Sequence, residues 1–104
     1  MHKMTITPSG IAVLDNDDEL SKCVLERGIN QDGIVSANIL PLLKEGDWVI
    51  DGGAALGDHS FPYWQKVRPS GKVIAFEACE EFYKCLRYNC PEVECYRAIL
   101  WDQL

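Results

Sequence analysis

The chain has 104 residues, 47% of them apolar and 25% charged, with a net charge of −6 and a pI of about 4.7. That length holds a single domain able to bury roughly 65% of its unfolded surface, and the acidic balance with scattered basic residues argues against nucleic acid as a partner. Apolar runs fall short of the ~20 residues of a membrane span, and residues 1–10 lack a signal peptide's apolar core, so a cytoplasmic chain with no membrane partner is expected.

Taken in chain order, Thr5, Ile6 and Thr7, then Pro8, Ser9 and Gly10, then Ile11 to Leu14 predict two short strands around a turn, because proline presets φ and glycine permits φ > 0 between β-branched flanks. Asp15 to Asp18 offers an N-cap and negative charge for a helix that sets Leu20, Cys23, Val24 and the stem of Arg27 on one face and stops at Gly28. A second helical stretch is expected over 35–44, with Val35, Ile39, Leu42 and Leu43 on one side and a kink or restart at Pro41.

After Gly46 the pattern changes. Trp48, Val49 and Ile50 form a continuous apolar run, the mark of a strand buried on both faces. A helix over 59–67 follows, with Asp58 as N-cap and Pro62 in its first turn. Residues 72–77 predict a second buried strand. Residues 80–88 predict a helix with Phe82, Cys85 and Leu86 inward, Asn89 as C-cap and Pro91 as stop, and residues 93–96 a third strand. Strand, helix, strand, helix, strand with short loops is the βαβαβ half of a doubly wound parallel sheet. Its expected order is 3-2-1, with residues 48–51 at one edge. The fold class is therefore α/β and Rossmann-like: about three core strands, preceded by an N-terminal strand pair and helices. Residues 1–47 lead in, and 48–104 form the cofactor-binding part of one domain.

The five cysteines (Cys23, Cys79, Cys85, Cys90 and Cys95) contain no Cys-x-x-Cys pair, and His2 and His59 lie far apart, so no metal is expected. Their odd number and the absence of an export signal make them free thiols serving as small core residues.

Ligands of such sheets bind beyond the carboxyl ends of the strands, and VIDGGAALGDHS (residues 49–60) lies there. Gly53 and Gly57 let a ligand and the helix start approach the backbone, Ala54 and Ala55 keep the wall low, and Asp51 can accept hydrogen bonds from the turn or from a ligand ammonium. Glu77, twenty residues after Gly57, ends the next strand at the place where an acid takes a ribose diol. Asp58 at the helix start would repel a pyrophosphate, and the spacing G-A-A-L-G departs from G-x-G-x-x-G. A phosphate-free, cationic nucleoside suits the corner better than NAD, and S-adenosylmethionine fits that description.

These segments, with SGKVIAFEACEEFYKCLRYNC and VECYRAILWD, resemble the first half of the FkbM-type family of class I methyltransferases, which carry D-x-G-A-N-x-G-D, then G-x-V-x-A-F-E-P, then a helix ending L-x-x-N. The resemblance covers nearly the whole chain. It implies that Asp51, Gly53, Ala54 and Gly57 shape the methionine and ribose pocket. It further implies that Glu77 takes the ribose hydroxyls with Ala78 beside the adenine, and that Asp58, His59 and Ser60 lie at the methionine end, His59 being the one acid/base candidate. Ala55 stands where the family has Asn, and Ala78 where it has Pro. In the family a fourth strand with an acidic motif follows and borders the methyl-transfer site, so the acceptor is unassigned and no catalytic residue is named. Two functions are thus expected to compete: an S-adenosylmethionine-binding methyltransferase or methyltransferase fragment, and a non-catalytic Rossmann-like module that forms a homodimer through the exposed sheet edge.

Overall fold

The computed structural model describes residues 3–14, 21–22 and 37–99. The acidic cap at Asp15 to Asp18, the helical face of Leu20, Cys23, Val24 and Arg27, and the start of the stretch at Val35 lie outside the described residues.

Strands β1 (Met4–Ile6) and β2 (Ala12–Leu14) pair antiparallel, with Thr5 opposite Val13. Thr7 closes their turn: its N–H donates to Ile11 O at 2.8 Å and its hydroxyl accepts the Ile11 N–H at 3.1 Å. Near Pro41 the chain makes a short 3-10 turn (Leu40–Leu42), which proline tolerates because its missing N–H falls at the first turn.

A three-stranded parallel sheet follows, in the order β3 (Trp48–Gly52), β4 (Lys72–Phe76), β5 (Glu94–Tyr96). Helices α1 (Ser60–Val67) and α2 (Glu80–Asn89) connect them. Both helices pack on one side of the sheet, where Val67 and Leu86 meet Val73 and Ala75 of the central strand, with Ala54, Cys90 and Val93 filling the same core. A second cluster joins β2 to α2: Ala12, Val13, Leu14, Leu56 and Cys85, all at most 2% exposed.

Three expectations are corrected. The run from Trp48 to Ile50 is buried on one face only: Val49 turns toward the helices, whereas Trp48 and Ile50 are 69% and 65% exposed. Side chains alternate along a strand, and both connecting helices lie behind the same face. The opposite face presents Trp48 and Ile50 beside Lys72, Ile74 and Phe76, with Tyr96 stacked on Phe76 at 5.6 Å.

Next, α1 is capped by His59 rather than Asp58, and no side chain bonds at its N-cap. The loop continues one residue further before turning helical.

Finally, Asn89 is the last helical residue of α2, and Cys90 is the C-cap. The Asn89 amide is directed away from its own helix end. Ala12 N–H donates to its Oδ1 at 2.6 Å, while its Nδ2 donates to Ala12 O at 2.9 Å and to Leu56 O at 2.7 Å. A primary amide has the same donor and acceptor geometry as a peptide group. Asn89 therefore pairs with the edge of β2 as a further strand residue would.

Among the described cysteines, all free, Cys85 and Cys90 are core residues as expected, Cys95 is half-buried, and Cys79 is exposed at the N-cap of α2. Burial pushes the Cys90 thiol up to about 12, which keeps it protonated.

Candidate functional site

Residues 53–59 leave the carboxyl end of β3 and fold over the end of β4. Gly53 and Ala54 both donate their N–H groups to Phe76 O, at 2.9 and 3.0 Å. Gly53 has φ +71°, and a Cβ built on it would meet nothing within 4 Å, so the corner is open to an incoming group at that point. Gly57 has φ +97° and faces inward. A Cβ there would lie 2.6 Å from Cys90 Sγ, so only glycine fits between the corner and the C-cap of α2.

Between them Ala55 adopts φ +53°, the left-handed region. An L-residue with a Cβ is disfavoured there by roughly 1–2 kcal/mol. A buried carboxylate holds it: Ala55 N–H donates to Glu77 Oε1 at 2.7 Å, and Cys79 N–H donates to Glu77 Oε2 at 2.9 Å. Glu77 is 8% exposed. It thus ties the glycine corner to the loop after β4, and each oxygen retains a lone pair for a further donor.

Asp51, near the end of β3, accepts the Ser60 hydroxyl from the first turn of α1. Burial raises its pKa above the ordinary carboxylate range; the Ser60 hydrogen bond and then His59 oppose that shift, and the negative charge of Glu77 adds to it. Asp58 is buried too, with Oδ2 3.5 Å from His59 Nε2. The His59 ring lies 6.3 Å from that of Tyr63. The corner therefore gathers three carboxylates and one imidazole around a patch of bare backbone. Such a site favours a cation and neutral hydroxyl donors over a phosphate.

The eight residues singled out in the sequence are distributed as follows. Asp51, Asp58, His59 and Glu77 converge on the corner, and Gly53 and Gly57 shape its backbone. Ala54 is 3% exposed and turned into the core, so it supports the corner from below. Ala78 is exposed beside Glu77, and its carbonyl accepts Arg97 Nε at 3.4 Å.

Two features escaped the sequence reading. The left-handed backbone of Ala55 was signalled by the asparagine that the resembling family places there, since asparagine tolerates that region. The grip of Asn89 on Leu56 carried no local signal, because those residues are 33 positions apart. A separate cavity of about 340 Å³ opens between the β1–β2 turn and the helices, lined by Ser9, Gly10, Ile11, Phe61, Tyr88 and Asn89. Among the described residues no cluster of His, Cys, Asp or Glu could hold a metal ion, and no helix is long and apolar enough to cross a membrane.

No family model matches the chain, and no curated protein matches it. Among solved structures it is similar to a SAM-dependent O-methyltransferase from Thermotoga maritima, with a TM-score of 0.59 and 26% identity over 92% of this chain. The chain spans 40% of the length of that enzyme's chain. The α/β arrangement, a three-stranded parallel sheet with helices, is thus a methyltransferase-like Rossmann fold of class I.

Proposed function

We propose that the corner binds S-adenosylmethionine and that the chain is the cofactor-binding part of a methyltransferase of the FkbM type. The observation that carries this is the pair of carboxylates, Asp51 and Glu77, ending two adjacent parallel strands on either side of a corner left bare at Gly53. Its likeness to the Thermotoga maritima enzyme supports the same reading.

The residues present suit this cofactor. Glu77 has lone pairs left for two ribose hydroxyls, and charge-assisted bonds of that kind contribute about 1.5–3 kcal/mol each. Asp51 and Asp58 supply negative charge for the ammonium and sulfonium, Ala78 borders the adenine, and the open side of Gly53 admits the methionine backbone. The cofactor, when bound, supplies an electrophilic methyl carbon. This chain's residues bind and orient it, while a nucleophile must be placed in line with that methyl by an acceptor-binding part. His59 is the group of the corner suited to receive a proton.

Calorimetry with S-adenosylhomocysteine tests the proposal. A dissociation constant on the order of micromolar is expected, weakened tenfold or more, about 1.4 kcal/mol, by Glu77→Ala. Absence of binding of either the methylated or the demethylated cofactor refutes it. Retention on an NAD resin without response to S-adenosylmethionine would point to a dinucleotide site instead.

One observation favours a second reading, a non-catalytic module that works as a homodimer. Among the described residues β3 is an edge strand, and the face it shares with Ile74, Phe76 and Tyr96 is apolar, with Trp48, Ile50 and Tyr96 exposed. Natural proteins cover or pair such edges and faces. A monomeric mass by light scattering at every dilution would remove this reading.

A further inference from the structure

Leu56 sits in the middle of the corner and is packed against the N-terminal hairpin. Its side chain is fully buried among Ala12, Val13, Leu14 and Cys85. Its carbonyl accepts one hydrogen of the Asn89 amide, whose other hydrogen and oxygen are both engaged by Ala12. All three bonds are within 2.9 Å, and they leave the Asn89 nitrogen with no further hydrogen to donate.

The partners also fix the orientation of the amide: the nitrogen must face the two carbonyls and the oxygen must face the Ala12 N–H. Residues 55 and 57, on either side of Leu56, hold two of the corner's three positive-φ conformations, the third being at Gly53. The corner is thus clamped from two directions, by Glu77 on the Ala55 N–H and by Asn89 on the Leu56 carbonyl.

We infer that Asn89 is a positioning residue for the ligand corner, and that through it the β1–β2 hairpin and the corner stabilise one another. The role for ligand binding rests on the S-adenosylmethionine reading above; the positioning itself does not. Asn89 reaches the ligand only through Leu56. Its loss should let Ala55 and Gly57 leave their left-handed conformations without melting the sheet. Coupling of this kind is reciprocal: whatever orders the corner must also order Ala12.

Amide hydrogen exchange resolved to single residues is the test, run on the full chain without ligand and with saturating S-adenosylhomocysteine. In ligand-free Asn89→Asp, which keeps the acceptor for Ala12 but sets a carboxylate against Leu56 O, the Ala55 and Gly57 amides should exchange at least tenfold faster, with the β4 amides unchanged. Acceleration of all amides alike, or none at the corner, overturns the inference. Should Asn89→Asp not fold, Asn89→Ser takes its place with the same criterion. In the wild type, S-adenosylhomocysteine should slow exchange of the Ala12 amide along with the corner. Corner amides that slow while Ala12 does not would overturn the coupling. If no amide responds to ligand, the cofactor reading fails, while the ligand-free comparison still decides the role of Asn89.

Discussion

Replacing Ala55 by glycine should stabilise this protein, against the usual direction for a residue added to a loop. Ala55 is held at φ +53°, where its Cβ crowds the following carbonyl. Relief of that crowding contributes about 1–2 kcal/mol, and the greater freedom of glycine in the unfolded chain takes back about 0.5–1 kcal/mol. The net effect is a gain of up to about 1.5 kcal/mol, centred on ~0.7 kcal/mol, which for a domain of this size raises Tm by roughly 3–6 °C at that centre. The Ala55 N–H that bonds Glu77 is retained, so the clamp survives the change. The neighbouring Ala54→Gly is the control. Ala54 has no positive φ and is 3% exposed, so its loss forfeits a buried methyl as well as entropy and should destabilise by about 1–2 kcal/mol. Urea and thermal unfolding of both variants, with the m value unchanged, would measure the pair. A destabilised Ala55→Gly, or two variants shifted in the same direction, would refute the assignment of strain to residue 55.

At Gly57 the opposite sign is expected: Gly57→Ala places a methyl against Cys90 Sγ at φ +97°, and should cost about 2–4 kcal/mol in urea unfolding, partly recovered by adding Cys90→Gly. Asp51→Asn should raise Tm at neutral pH while weakening S-adenosylhomocysteine binding. The folded pKa of Asp51 is raised, so the protein is favoured by protonation below the unfolded value and loses that advantage as pH rises through the folded one. The stability gain from the amide should therefore shrink as the pH falls through that raised pKa, and a Tm difference independent of pH would show that Asp51 is not the group responsible.

The parts of the fold that were legible in the sequence are those set by local chemistry. An apolar run marked β4, although only its Val73 and Ala75 are fully buried, the Pro–Ser–Gly turn marked the hairpin, and the apolar spacing and the Pro91 stop marked α2. The candidate site was legible in its residue types: an acid at the end of each of two strands and glycines between. Where the reading failed, the deciding partner lay elsewhere in the chain. Trp48 and Ile50 are as apolar as any core residue, and only the packing of both helices behind Val49 leaves them outside. Asn89 has the composition of a C-cap, but a strand 77 residues earlier in sequence offers its amide two bonds.

The sequence by itself determined the order of elements, the acidic character of the corner and the need for glycine in it, because strand alternation, charge and φ preference act over a few residues. Only the tertiary structure decided how those pieces are held. Glu77 reaching the Ala55 N–H, Asn89 reaching Leu56 O and Ser60 reaching Asp51 each join segments that separate in the unfolded chain. A hydrogen bond across 22 or 33 residues forms only after the sheet and helices have brought its ends together, so its partners cannot be read from either end alone.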